Sequence, residues 1–370
     1  MSIASTSAPL TEPEVAALLG LLPDAGCIVL AISGGADSTA LMVLAQRWRS
    51  AREKRGEPAP KLIAATVDHG LRPQSRAEAE WVAGVATRHG VPHEILAWTG
   101  PKPKSGLEQA ARSARRRLLI GFACRYGANH IATAHTLDDQ AETVLMRLAA
   151  GSGPSGLAGM RQAQGWQGVT FLRPFLSVGK VRLAATLRAI GIDWLEDPMN
   201  ADLSFARPRL RAARAVLTRE GLTPERLGRL AERMARYEEV VAGAAAVMRP
   251  NLRHSECPEG WDADALLAAP PELALRLLAD EIVRVSGPDA QTRPIRLGRL
   301  EALWQDLRAA IVNRRTVRRT LAGALIAVAR DRCVMVTPAP PRRTRPTGRG
   351  ANRSSERSRG APLGIRGSAV

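Results

Sequence analysis

Four times between residues 27 and 150 the chain passes from a short apolar run into a longer segment of helical period. "CIVLAIS" leads into "STALMVLAQRWR", "LIAATVDHG" into "RAEAEWVAGVATRHG", "HEILAW" into "LEQAARSARRRLLIGFACRYG", and "HIATAH" into "LDDQAETVLMRLAAG". The short runs are apolar throughout rather than alternating, as strands buried on both faces must be, and each is followed by enough residues for a crossover helix. The pattern predicts an α/β fold, a parallel sheet with helices on both faces. "VTFLRPFL" followed by "VGKVRLAATLRAIGI" predicts one further unit.

Beyond about residue 215 helical patterns take over. "TPERLGRLAERMARYEEVVAGAAAVM" opens with Thr223 as N-cap and Pro224 at the first helical position. "PPELALRLLADEIVRVSG" has Pro271 near its start and Gly287 past its end, "IRLGRLEALWQDLRAAI" adds a third helix, and "RTLAGALIAVARDRCVMV" predicts a small hairpin or short β element. The expected organisation is an N-terminal extension over 1–26, an α/β domain over 27–215, a smaller, mostly helical domain over 216–337, and a disordered basic tail over 338–370. The tail, "PAPPRRTRPTGRGANRSSERSRG", has almost nothing to bury.

With 53 Lys and Arg against 35 Asp and Glu, the formal charge is +18. Such an excess favours a polyanionic partner, nucleic acid first, although an Arg-, Ala- and Gly-rich coding bias produces the same number. No run reaches the ~18 apolar residues of a membrane span, and the N-terminus lacks the pattern of a secretory signal, so no membrane partner and a cytosolic address are expected. The four cysteines, Cys27, Cys124, Cys257 and Cys333, form no C-x-x-C; neither a zinc site nor an iron–sulfur cluster is spelled out, and buried thiols are expected.

Two stretches carry chemistry. "SGGADS", Ser33 to Ser38, sits at the first strand-to-helix turn, where open parallel sheets cradle anions. Gly34 and Gly35 let the backbone approach a ligand, and their N–H groups, with those of Ala36 onward, can converge on phosphate. Asp37 beside phosphate calls for a cation such as Mg2+. A glycine-eased turn with a capping serine is the plainer alternative; a Walker loop and the dinucleotide fingerprint are excluded by the missing G-K-[ST] and G-x-G-x-x-G. The second stretch is "TAHTLDDQAETVLMRLAAGSGPSGLAGM". With a helix from near Thr136, the residues His135, Asp138, Asp139 and Glu142 stack on one face at the end of the fourth strand.

S-G-G-x-D-S after a first strand resembles the PP-loop of the N-type ATP pyrophosphatases, with their adenine nucleotide α-hydrolase-like fold. The second stretch resembles the T-A-H-H-L-D-D-Q-A-E-T and R-G-S-G-x-x-G-L-x-G-M motifs of the tRNA(Ile)-lysidine synthases. "VDHGLRPQSRAEAEWV", "LEQAARSARRRLL" and "LEDPMNADLSFARPRLR" extend the likeness over 27 to about 215. Thr136 stands where that family usually has a second His, Arg116 where it has Tyr, Ala150 where the loop often begins with Arg, and Pro208 inside an otherwise R-N-x-x-R segment.

The resemblance implies ATP as cosubstrate with Mg2+, free L-lysine, and the isoleucine tRNA with a CAU anticodon, whose wobble cytidine is adenylated and then takes lysine at C2. It implies an ATP site of Ser33, Gly34, Gly35, Ala36, Asp37, Ser38, Asp68 and His69, with Asp37 touching Mg2+. It implies catalytic roles for Asp37, Arg112, Asp138 and Glu142, and contacts to lysine or substrate from His135, Asp138, Asp139, Glu142 and Arg207. Arg209 and Arg211 suit phosphate contacts, and Lys102 and Lys104 a loop over ATP. Oligomeric state is not encoded; a homodimer is compatible with the sequence. The rival readings are a tRNA thiolase, disfavoured by the lack of paired cysteines in sequence, and a non-catalytic RNA-binding protein, disfavoured by the retained acids.

Overall fold

Strand β1 (Cys27–Ala31) runs parallel to β2 (Lys61–Asp68) on one side and to β4 (His130–Thr133) on the other, with Ile28 opposite both Leu62 and His130. In this computed structural model, which describes residues 7–103, 105–196, 206–287 and 295–340, the sheet is completed by β3 (His93–Ala97), β6 (Val169–Leu172) and β5 (Ala163–Trp166). The order is β3-β2-β1-β4-β6-β5, all parallel except β5. The chain therefore steps outward from β1 to β3 and returns to the other side of β1 with β4. The carboxyl ends of β1 and β4 flank the crevice where that direction reverses, the place where such sheets bind ligands.

Both faces of the sheet are covered, which explains the apolar strands. Ile28 and Leu30 face Leu41 and Met42 of α2 (Ala36–Lys54), Val82 and Val85 of α3 (Ser75–Arg88), and Leu183 and Leu187 of α7 (Lys180–Ala189). Val29 and Ala31 face the other way, with Leu119 and Phe122 of α4 (Leu107–Arg125). The segment read as an extension joins this core. Thr11 and Glu14 form a capping box at the start of α1 (Glu12–Leu19), and Leu10, Leu19 and Leu22 are buried with α2 and α7. Arg182 fixes the segment by donating to Glu14 at 2.9 Å. The further strand unit is a hairpin, β5 turning into β6 through Gln167 and Gly168, both at positive φ.

Thr223 and Pro224 begin α10 (Pro224–Met248) as expected. Its Leu227 and Ala231 pack on Ala141 and Val144 of α5 (Leu137–Ala149), with Leu157 of α6 (Pro154–Leu157) against them, which joins the two units. The second unit is mostly helical, as expected, and its β element is larger than one hairpin. Helices α11 (Ala263–Ala268), α12 (Pro271–Ser286) and α13 (Leu297–Val312) accompany a four-stranded antiparallel sheet, β7-β10-β9-β8, built from β7 (Trp261–Asp262), β8 (Val317–Leu321), β9 (Ala324–Val328) and β10 (Cys333–Pro338). The strand β7 is two residues long and β8 is an edge strand whose "RRT" centre is exposed, so neither carries an apolar strand pattern. The sheet and helices share a core of Trp261, Leu277, Leu278, Trp304, Ile326 and Val336. Of the cysteines expected to be buried only Cys333 is; Cys124 is exposed. Residues 341–370 of the expected tail lie outside the described residues.

Candidate active site at the carboxyl rim of the sheet

After β1, the N–H of Ile32 still donates to Ala65 in the sheet, and the chain then turns sharply. Gly34 has φ +89°, and a Cβ there would stand 2.9 Å from Leu195 Cδ1 and 3.0 Å from Val82 Cγ2, so conformation and space both demand glycine. Gly35 is the N-cap of α2 and brings no side-chain cap. The amides that open α2, through Asp37 and Ser38, thus have no intrahelical acceptor and face the rim. The Ser38 hydroxyl is engaged inside the turn, accepting from Ser33 N at 3.1 Å and donating to Gly35 O at 3.0 Å. Ser33, by contrast, is exposed.

Helix α5 starts beside this turn, after β4. Thr136 caps it and Asp139 returns the bond, Thr136 N donating to Asp139 Oδ2 at 3.0 Å and Asp139 N to Thr136 Oγ1 at 3.4 Å. Asp138, Asp139 and Glu142 are each at most 7% exposed, so three carboxylates share one buried helix start and need cations. Lys180, the first residue of α7, supplies one: its Nζ lies 3.0 Å from Asp139 Oδ1 and 3.6 Å from Asp37 Oδ2. Its backbone N–H donates to Asp138 Oδ2 at 2.8 Å. From α8 (Ala206–Ala212), Arg211 holds Glu142 at 2.6 Å and approaches Asp139 at 3.8 Å, while Arg207 lies 3.9 Å from Glu142. Arg214 of α9 (Arg214–Arg219) meets Asp138 Oδ1 at 2.5 Å. The glycine turn and the acidic helix start therefore share one rim, joined by one ammonium.

These contacts set the electrostatics. Burial pushes the Asp37 carboxyl up to about 6; Lys180 opposes the rise, and Asp139 and Asp138 add to it. Burial also works against ionised Asp139, yet Lys180 and the Thr136 N–H overcome it and hold that carboxyl below its usual range. His135 is driven down to about 3, by burial first and then by Arg173, and its neutral ring places Nδ1 2.9 Å from Thr133 Oγ1. The opposite wall is basic. Arg173 is lowered to about 10 by burial and by Arg112, Arg116 and Arg147, and its Nε is buried without a hydrogen-bond partner. Burial, then Arg207, Arg116 and Arg115, lower Arg112, which still reaches solvent. Guanidinium groups that repel one another beside a cleft are a receptor for phosphate.

A PP-loop domain family model matches residues 10–217. The tRNA(Ile)-lysidine synthase of Methylobacterium sp. (strain 4-46) is 49% identical over 329 residues, 88% of this chain and 92% of that protein. This chain belongs to the tRNA(Ile)-lysidine synthase family. The synthase of Methylobacterium nodulans is 50% identical, with 86% and 92% covered, and that of Bradyrhizobium sp. (strain BTAi1) is 44% identical, with 91% and 97% covered.

The departures from the lysidine synthase pattern have local explanations. Thr136 replaces a second histidine with a working N-cap. Arg116 stacks on Trp166 of the β5–β6 hairpin, 4.2 Å from the ring centroid. Ala150 is the C-cap residue of α5. Pro208 is the third residue of α8, in the first turn, where its missing N–H has no intrahelical acceptor to lose. At the end of β2, Asp68 Oδ1 accepts from Gly70 N at 2.8 Å and from Ser75 Oγ at 2.7 Å, so it fastens the turn before α3. His69 lies edge-on to Trp98, 6.0 Å between centroids, with Nδ1 buried and unpartnered; burial and Arg115 keep it neutral. Lys102 lies over the Trp98 ring; Lys104 falls outside the described residues.

Lys180 carries no sequence motif, yet one signal marks it. A lysine in the first turn of a helix opposes the helix dipole, and α7 has no acid there to offset it, so the placement has a tertiary cause. For Mg2+ the donor set fits. Among the described residues no group of three or more His, Cys, Asp or Glu is placed to hold a metal. Asp37 and Asp139 nonetheless already share a cation, and Mg2+ commonly takes one or two carboxylates and completes its shell from phosphates and water.

Proposed function

We propose that this protein ligates lysine to C2 of the wobble cytidine of the CAU-anticodon isoleucine tRNA, running two half-reactions at the two sides of one crevice. The observation that carries the reading is the Lys180 ammonium shared by Asp37 of the glycine turn and Asp139 of the acidic helix. Residues 27–215, with α1 packed against them, form the catalytic domain, and 216–337 the tRNA-binding domain.

In the first half-reaction the amides of Gly34 to Ser38 hold the ATP phosphates, and His69 offers an unpartnered ring nitrogen where the adenosine rests. Asp37, with Asp139 beside it, would hold Mg2+, which when bound would supply neutralising charge to the phosphates. Arg112 faces the same charge from the basic wall. Oxygen O2 of the cytidine attacks the α-phosphate, and position and charge neutralisation supply most of the rate.

In the second half-reaction lysine attacks C2 as a free amine, although its ordinary pKa is about 10.4, and the new C–N bond replaces the C2–O2 bond as AMP departs with O2. Lysine would enter at a hollow between α5, α8, α9 and α10 that holds only about 40 Å³ until Arg211 or Arg214 moves aside: Leu145, Leu210, Leu217 and Leu227 form apolar walls, and Asp138 and Glu142 stand among the lining residues. The apolar stem lies along the leucines and the ammonium takes over a carboxylate now held by Arg211 or Arg214. Glu142 then accepts the proton, with Asp138 beside it. His135, neutral, positions rather than carries charge.

Among the described residues no helix is long and apolar enough to cross a membrane; it is the tRNA substrate that assigns the proposed reaction to the cytosol. The thiolase reading is not favoured: the cysteines that meet, Cys257 and Cys333, lie by the second sheet. The test combines purified protein, ATP, Mg2+ and labelled lysine with unmodified isoleucine tRNA. Label enters only the CAU transcript, only with ATP, and Asp37→Ala stops it; tRNA binding with no lysine transfer at any Mg2+ concentration would overturn the proposal.

A further inference from the structure

We propose that Cys257 and Cys333 are a redox-active dithiol, which hydrogen peroxide converts into a disulfide that clasps the loop before β7 to the start of β10. The residues are distant in sequence, separated by β7, α11, α12, α13, β8 and β9, and the fold brings them together. A Cβ placed on Gly260 would stand 2.0 Å from Cys333 Sγ and 2.9 Å from Cys257 Sγ, so both sulfurs crowd the space of one missing methyl group. Gly260 is not among the glycines at positive φ; proximity of the sulfurs, not backbone conformation, requires it.

Backbone contacts fix both partners. Gly260 N donates to Cys257 O at 2.9 Å, and Cys333 N donates to Asp331 Oδ1 at 3.1 Å. Cys333 opposes Asp262 in the β10–β7 pairing. A metal does not compete for the thiols through the neighbouring histidine. His254 accepts at Nδ1 from Glu256 N (3.2 Å), and its Nε2 lies 3.0 Å from Asp331 O, so both ring nitrogens are engaged. Access is asymmetric: Cys333 is 1% exposed, whereas Cys257 is half-buried. Burial and the neighbouring Cys257 push the Cys333 thiol up to about 12, so it keeps its proton until Cys257 has reacted.

The step balances without a cofactor. The Cys257 sulfur attacks peroxide, its S–O bond forming as the O–O bond breaks, and yields a sulfenic acid and one water. The Cys333 sulfur then displaces the hydroxyl oxygen, forming the S–S bond and a second water; two thiols lose two electrons and peroxide gains them.

The test treats the full chain with peroxide, alkylates the remaining thiols and maps peptides by mass spectrometry. A linked Cys257–Cys333 peptide is expected, abolished by dithiothreitol, with a rise in Tm of about 5–10 °C from the constrained chain between them. Cys124→Ser keeps both signals, Cys257→Ser loses both, and Gly260→Ala lowers the linked yield by wedging the sulfurs apart. Free, alkylated Cys257 and Cys333 after peroxide, over-oxidation of Cys257 alone, or linkage of either to Cys27 or Cys124 would overturn the proposal. These readouts are independent of lysine transfer.

Discussion

Asp37 and Lys180 have opposite effects on stability, and that opposition is measurable. Folding raises the Asp37 pKa from 3.8 to about 6, so the stability tied to it is complete below pH 3.8 and is lost as pH rises through about 6. Asp37→Asn therefore makes the protein more stable at pH 7.5, by about 1–3 kcal/mol in urea unfolding, and abolishes activity. Lys180→Met has the contrary sign, a loss of about 1–3 kcal/mol, because it leaves buried carboxylates short of a cation. The same titration predicts an acid limb: kcat/KM for ATP falls as pH drops through about 6, since a protonated Asp37 cannot hold Mg2+. Asp37, Asp138, Asp139 and Glu142 were legible because each sits in a short contiguous pattern. Lys180 was not, because its partners come from two other segments. Arg211, which suits a phosphate contact by its sequence, also neutralises Glu142, a pairing that only the approach of α8 to α5 creates.

The elements follow the same division between local and tertiary information. Strands β1 to β4 and the helices after them announce themselves by apolar runs and helical period, and Thr223 and Pro224 begin α10 as their chemistry dictates. Edges escape notice: β7 has two residues, β5 exists because β6 offers it a partner, and only the end of β8 falls within the expected β element. Helix α1 was hidden by its place near the terminus, although "TEPE" spells its capping box. At the rim, Gly34→Ala must accept both a positive φ and contacts under the usual limit with Leu195 and Val82. It is expected to cost about 2–4 kcal/mol and to raise KM for ATP more than KM for lysine. Thr136→Val removes the cap that orients the acids and costs about 1–2 kcal/mol, read by urea unfolding.

Across the whole molecule the formal charge is +18, while each acid of the helix start at the rim is met by Lys180 or an arginine. tRNA binding is expected to weaken by roughly a thousandfold between about 50 and 200 mM salt, and removing residues 338–370 to make that dependence shallower. Joining the two sides of the crevice implies that they can also be separated. The direct measurement is AMP and pyrophosphate release with the CAU-anticodon tRNA, with and without lysine, for Asp37→Ala and Glu142→Gln. Asp37→Ala is expected to release neither product under any condition, and Glu142→Gln to adenylate the tRNA and fail only to transfer lysine. Adenylation that survives in Asp37→Ala, or unimpaired lysine transfer by Glu142→Gln, would overturn this division of the crevice.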